Sequence, residues 1–313
     1  MTPNFHAESI RTQLTALDLQ RPLTSEQQNY QSFYGLNQDL PPQAHSHLGV
    51  LSVAEYQIVT QVWCPTQPRA TLIVLHGYYD HMGLYRHLVR WALAQGFCVL
   101  SCDLPGHGLS SGAQASIRSF SEYQQVLQAL LAEAQRLQLP QPWHRLGQST
   151  GAAILLDYLL HPPAEGLPAG RDVLLAPLVR PYHWTRGYLS YCLLKPWVRK
   201  IPRSFSNNSN DADFLAFVKH QDPLQAKILP TAWVGALARW IPYIEQAPSS
   251  IQSPLIIQGD QDKTVDWQHN LPILQHKFNQ PQIKLLKGAR HHLVGERADI
   301  RQQVFSSLQE WLE

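Results

Sequence analysis

Charge is scarce and balanced in this chain: Asp, Glu, Lys and Arg make up 15% of it, with 25 Lys and Arg against 23 Asp and Glu and a formal net charge of +2. So small an excess, with no long Lys/Arg run and no zinc-finger spacing, excludes nucleic acid as the expected partner. Nowhere do about eighteen uncharged apolar residues run together, so no membrane-spanning helix is expected. The start, "MTPNFHAESIRTQLTALDLQRPLT", lacks the continuous apolar segment of a secretory leader, and export by a standard signal is not expected. Cysteine is sparse. Cys64, Cys98, Cys102 and Cys192 in a chain of 313 residues make no disulfide framework. Cys98 and Cys102 fall on one face of the strand-like "FCVLSCD" and read as buried thiols, which fits a reducing cytoplasm. H-E-x-x-H and paired metal-ligand spacings are missing, so neither a metal nor another cofactor is expected.

What is present is apolar: 44% of the residues are hydrophobic, enough to bury a sizeable core in one large domain carrying an insertion. Short β-branched runs alternate with helical patterns. The runs are "TLIVLHG" (71–77), "FCVLSCDLPG" (97–106), "HRLGQS" (144–149), "DVLLAPL" (172–178), "PLIIQGD" (254–260) and "IKLLKGA" (283–289), with helices expected at 84–95, 120–138, 150–160, 266–278 and 297–312. Continuous apolar strands separated by helices predict an α/β fold with a mostly parallel sheet covered on both faces. The alternating segment 52–65 adds antiparallel edge strands. Residues 179–253 show no clear strand and are far longer than one crossover requires, which predicts a helical lid inserted at 178–246. The expected divisions are an N-terminal extension (1–49), a first core segment (50–177), the lid (178–246) and a second core segment (247–313).

Gly147-Gln148-Ser149-Thr150-Gly151 falls between a strand and a helix, the context of a nucleophile elbow. A turn that sharp leaves no room for side chains two residues either side of the serine, and the helix dipole favours a developing oxyanion beside it. A serine hydroxyl needs a general base, itself oriented by an acid, and this architecture takes both from loops after later strands. "DQDKTVD" offers Asp260, Asp262 and Asp266. Asp260 abuts the strand end and Asp266 suits a helix N-cap, which favours Asp262. "RHHLVGE" offers His291 and His292, between which spacing does not choose. The oxyanion donors are expected to be the backbone N–H groups of Thr150 and of Tyr78, in the loop after "TLIVL". His76, His81 and His107 read as structural hydrogen-bonding residues.

These residues resemble the α/β-hydrolase superfamily, and within it the branch of monoacylglycerol lipases and bacterial lysophospholipases. "HGYYDHMGLY" is similar to that branch's H-G-x-x-E-H-x-x-x-Y loop, with Asp80 in place of Glu; "DLPGHGLSSG" with Phe120 and Tyr123, and "DPLQAKILPTAW", match further motifs. The pattern G-A-x-H followed by a glutamate aligns with "GARHHLVGE" and implies His291 as the base, and the family's acid position falls on Asp262. The elbow departs from the common G-H-S-M-G-G at Gln148, Thr150 and Ala152. The resemblance implies a serine carboxylic-ester hydrolase working through an acyl-enzyme, with a lysophospholipid or monoacylglycerol as substrate. A carboxylesterase of soluble esters, an acyltransferase or peptidase with the same triad, and a non-catalytic binding module are the alternatives.

The lid segment has no acidic residue from Val173 to Asn210, while Arg186, Lys195 and other basic residues alternate with Trp184, Tyr188 and further aromatic and aliphatic ones. Trp184, Arg186, Tyr188 and Lys195 are therefore the candidate lid residues for substrate. Such a mixture suits peripheral contact with the inner face of a membrane. An amphipathic helix burying its apolar face on the core gives the same pattern.

Overall fold

The computed structural model describes residues 4–313. Two helices, α1 (Ala7–Gln13) and α2 (Ser25–Tyr34), precede a hairpin of β1 (His45–Val53) and β2 (Tyr56–Cys64). There follow β3 (Ala70–Leu75), a short 3-10 turn (Met82–Tyr85), α3 (Arg86–Ala94), β4 (Phe97–Cys102), α4 (Phe120–Arg136), β5 (Trp143–Gln148), α5 (Thr150–Leu160) and β6 (Asp172–Leu175). The stretch after β6 holds α6 (Trp184–Leu194), β7 (Lys200–Pro202), α7 (Ala212–His220), β8 (Ile228–Pro230) and α8 (Thr231–Gln246). The chain ends with β9 (Leu255–Gly259), α9 (Trp267–Lys277), β10 (Gln282–Leu286), a 3-10 turn (Leu293–Gly295) and α10 (Ala298–Leu312).

Eight strands form one sheet in the order β1-β2-β4-β3-β5-β6-β9-β10. β2 pairs antiparallel with β1 and β4, and every later pairing is parallel. β3 to β6 and β9 are buried along their whole lengths because helices cover both faces, as their unbroken apolar runs require. One core holds Tyr123, Leu127, Leu155, Trp233 and Ile244 from α4, α5 and α8; the other holds Tyr30, Leu88, Ile300 and Leu308 from α2, α3 and α10. Between β5 and β6, Arg145 Nε and Nη2 donate to the two Asp172 oxygens at 2.6 and 2.9 Å, a buried bidentate pair.

Four observations amend the sequence reading. Cys98 is not a free thiol: Trp63 on β2 faces Val99 on β4, so Cys64 meets Cys98 one step along the ladder and the two form a disulfide. Cys102 and Cys192 remain free, and the argument for a reducing compartment loses its premise. β1 begins at His45, ahead of the boundary set at residue 50. The N-terminal helix α2 also packs on the domain: it opens on a capping box between Thr24 and Gln27 and buries Tyr30 and Tyr34. Finally, β7 and β8 form an antiparallel ribbon inside the stretch that showed no strand. Each is three residues long and contains a proline, too short for any periodic signal.

Candidate active site

β5 delivers Ser149 at a turn that only glycine neighbours permit. A Cβ on Gly147 would lie 2.3 Å from the Gly151 carbonyl carbon, and one on Gly151 would lie 2.1 Å from Leu75 O. Ser149 itself takes φ 56° and ψ −110°, a strained backbone setting held by Ser149 N–H donating to Leu175 O at 2.8 Å. The hydroxyl thereby stands at the start of α5.

Of the two adjacent histidines, His291 faces the serine. Its Nε2 lies 2.9 Å from Ser149 Oγ and its Nδ1 lies 2.7 Å from Asp262 Oδ2. Asp262 sits in the loop after β9, where its Oδ1 accepts from Thr264 N and Val265 N at 2.7 and 3.1 Å and its Oδ2 from Gln258 Nε2 at 2.9 Å. Burial opposes charge on this carboxyl, but the His291 ring and those donors outweigh it and hold Asp262 below its ordinary range. Asp266 caps α9, accepting from His269 N, and Asp260 accepts from Gly288 N in the β10 turn.

His292 turns the other way. Its Nδ1 accepts from Gly295 N at 3.0 Å, and its Nε2 lies 3.1 Å from Asp80 Oδ2. Asp80 also accepts from Tyr85 OH at 3.0 Å, and Tyr85 OH accepts from Gly77 N–H at 3.1 Å, so this cluster braces the loop after β3. That loop passes close by the serine: a Cβ on Gly77 would be 3.3 Å from Ser149 Cβ. Tyr78 N–H has no partner among the described residues, and Thr150 N–H belongs to the unsatisfied first turn of α5. The Tyr78 side chain packs, stacking on Trp233 at 3.7 Å and donating to Ala115 O.

The histidines expected to be structural make fixed contacts. His76 Nε2 accepts from Leu104 N–H at 2.8 Å, and its Nδ1 lies 2.8 Å from Gly77 O; burial holds it neutral, down at about 3. His107 bonds Pro105 O and is likewise lowered by burial, to about 4. His81 pairs with Asp222 from beyond α7 at 2.9 Å, and Tyr34 OH donates to the same carboxylate at 2.7 Å. The loop after β3, the inserted segment and the N-terminal helices therefore meet at one buried carboxylate.

Ser149, Thr150, Tyr78 and His291 open onto a cavity of about 600 Å³. Its walls include Leu178, Trp184, Leu194, Val234 and Leu237, with Arg203, Ser204, Ser206 and Asn208 supplying a polar stretch. α6 presents Trp184, Gly187, Tyr191 and Leu194 to this space, one helical face. Arg186, Tyr188 and Lys195, the other candidate lid residues, do not line it. Arg186 and Tyr188 fall off that face, and Lys195 lies past the helix end with its Nζ 5.5 Å from the Tyr191 ring centroid.

Three contributors went unread in the sequence. Gln148 donates to His291 O, Arg203 enters the cavity, and Glu296, fully buried, accepts from Arg290 N and Asn210 N at 2.7 and 2.9 Å. The only available signals were the unusual Gln in the elbow and the glutamate trailing the histidine motif. Among the described residues no cluster of His, Cys, Asp and Glu is able to hold a metal ion, and no helix is long and apolar enough to cross a membrane.

Residues 66–298 match the family described as serine aminopeptidase, S33. A monoacylglycerol lipase of Mycolicibacterium smegmatis is 28% identical over 228 residues, 71% of this chain and 79% of the relative. The Homo sapiens monoglyceride lipase is 25% identical over 288 residues, covering 88% and 92%. A soluble variant of monoglyceride lipase from Saccharomyces cerevisiae, solved with a substrate analogue, superposes with a TM-score of 0.72 at 17% identity, covering 85% of this chain and 94% of that one.

Proposed function

Because the chain belongs to the serine aminopeptidase S33 family of α/β-hydrolases, we propose that it is a serine carboxylic-ester hydrolase of single-acyl-chain lipids. One observation carries the reading: Ser149 and His291, with Asp262 hydrogen-bonded behind His291, open onto a cavity with a largely apolar wall. Ser149 Oγ attacks the ester carbonyl as its proton passes to His291 Nε2, and Asp262 holds the resulting imidazolium. Tyr78 and Thr150 N–H groups receive the negative oxygen. Collapse breaks the bond to the alcohol, which leaves with the proton from His291. Water then attacks the acyl-serine by the same route, releasing a fatty acid and free Ser149.

An apolar wall suits an acyl chain, and the monoacylglycerol lipases among the relatives point to the same substrate class. The family's aminopeptidase label finds no support in the cavity. Asp80 is the one carboxylate lining it among the described residues, and Tyr85 and His292 already engage it, leaving none for a substrate ammonium.

The segment from residue 178 to 246 acts in this reading as the lid. Its outer side is apolar: Leu189 and Leu193 are 62% and 63% exposed and Trp197 is 81% exposed, with Arg186 and Lys195 beside them. Although Trp184 packs against the core and Tyr191 lies against Gly235 of α8, no residue of α6 is fully buried. This side meets the lipid surface, rings and leucines entering at headgroup depth and cations meeting phosphates. The deciding experiment compares monoacylglycerol hydrolysis by wild type and Ser149→Ala. A loss on the order of 10⁴-fold or more with an unchanged melting curve is expected; near-normal turnover by the variant overturns the assignment.

A further inference from the structure

A cation lines the cavity with no anion against it. Arg203 follows β7, and its guanidinium lies between two aromatic faces, 4.0 Å from the Tyr79 ring centroid and 4.3 Å from that of Phe205. Its backbone is fixed by donation to Lys227 O at 2.9 Å, and Nη1 is used up by Gln225 Oε1 and Ala226 O. Nε is buried without a partner, and Nη2 has none among the described residues. Those two nitrogens form one edge of the guanidinium fork, the edge that takes two oxygens of one anion side by side. On Arg145 and Arg180 the same edge is filled, by Asp172 and by Glu245. Among the described residues no carboxylate is in ion-pair contact with Arg203; Asp80 and Asp222 act on it only at longer range. Arg203 is half-buried, but its Nε is cut off from water, and a buried donor ordinarily has a partner.

Its position gives the edge a use. Tyr79 adjoins the oxyanion donor Tyr78, and Asn208, in the same polar stretch as Arg203, accepts from His292 N–H at 2.8 Å beside His291. The cation thus shares the cavity with Ser149 and His291 and lies on a polar stretch of its wall, distinct from the apolar side chains suited to an acyl chain.

We propose that Arg203 is a specificity-determining residue that receives the phosphate of the substrate's alcohol part, making a lysophospholipid the preferred single-chain ester. The assignment rests on the ester-hydrolase reading above. It replaces Arg186 and Lys195, which do not line the cavity, as the reader of headgroup charge.

The test measures kcat/KM for a short-chain lysophosphatidylglycerol and the monoacylglycerol of the same acyl chain, with wild type, Arg203→Gln and Arg203→Lys. The Gln variant is expected to lose about tenfold to a hundredfold on the phospholipid, as loss of a charge-assisted bidentate contact implies. Its monoacylglycerol activity, which also reports intact folding, stays within about threefold, and Lys, lacking the planar fork, recovers part of the loss. Glycerol 3-phosphate is expected to inhibit the wild type through Arg203, and glycerol to do so in neither protein. Equal losses on both substrates, or none, overturn the proposal. Inhibition by inorganic phosphate that depends on Arg203, without a change in substrate preference, also overturns it by making the site one for a free anion. Failure of the underlying hydrolase reading appears separately, as activity that survives Ser149→Ala.

Discussion

Gln148 Nε2 donates to the carbonyl of His291 at 2.9 Å, tying the residue before Ser149 to the loop that carries His291. A direct strap between β5 and the histidine loop holds the imidazole over Ser149. Gln148→Ala removes about 1 kcal/mol of positioning. We expect kcat to fall about fivefold with KM nearly unchanged, measured on a soluble ester; a rise in KM with constant kcat would show that Gln148 binds substrate instead.

Gly151→Ala places a methyl group 2.1 Å from Leu75 O, in the backbone of a fully buried strand. Neither partner is free to give way, so the elbow must open. The variant is expected to melt about 3 °C or more below wild type and to lose ester turnover with it. A wild-type melting curve would refute the steric account of the elbow.

His76 sets a pH dependence of stability. Burial lowers its folded value to about 3 from an unfolded value near 6.5, so between these the unfolded chain binds the extra proton. The stability His76 contributes is present in full above about 6.5 and falls with pH below it, by about 2 kcal/mol at pH 5. Denaturant unfolding at pH 7 and pH 5 should show a smaller difference in His76→Gln than in wild type. Parallel slopes would mean that other groups carry the acid sensitivity.

Replacing the outward side chains of the proposed lid separates surface binding from chemistry. Leu193→Ser with Trp197→Ser removes two exposed apolar groups that do not line the cavity. Retention on anionic liposomes should drop about tenfold or more while hydrolysis of a soluble ester is unchanged. Undiminished retention would make that face solvent-exposed only.

Asp222 joins three parts of the chain, and its charge is sustained by His81 and Tyr34 against the cost of burial. Asp222→Ala leaves His81 buried without its partner and is expected to cost about 3 kcal/mol or more in denaturant unfolding. A loss under about 1 kcal/mol would show that packing alone joins these segments.

Much of this protein was legible in one dimension. The parallel core followed from unbroken apolar runs between helical patterns, since a strand covered on both faces has no polar side to show. The serine turn, and the loops in which Asp262 and His291 lie, followed from glycine spacing and the chain order of an elbow fold. β7 and β8 were invisible because three residues carry no period. The Cys64–Cys98 disulfide was missed because it depends on a cross-strand register between β2 and β4, which composition does not encode.

By itself, then, the sequence determined the architecture and where along the chain the candidate nucleophile, acid and base lie, because local patterns of burial and backbone freedom are written residue by residue. Spacing left His291 and His292 open and the family resemblance implied His291; only the tertiary structure decided that His292 turns to Asp80 instead, that Gln148 anchors His291, and that Arg203 rather than Arg186 or Lys195 enters the cavity. The reason is physical: which of two neighbouring side chains faces a site depends on backbone direction and on contacts between segments far apart in the chain, and neither is carried by spacing.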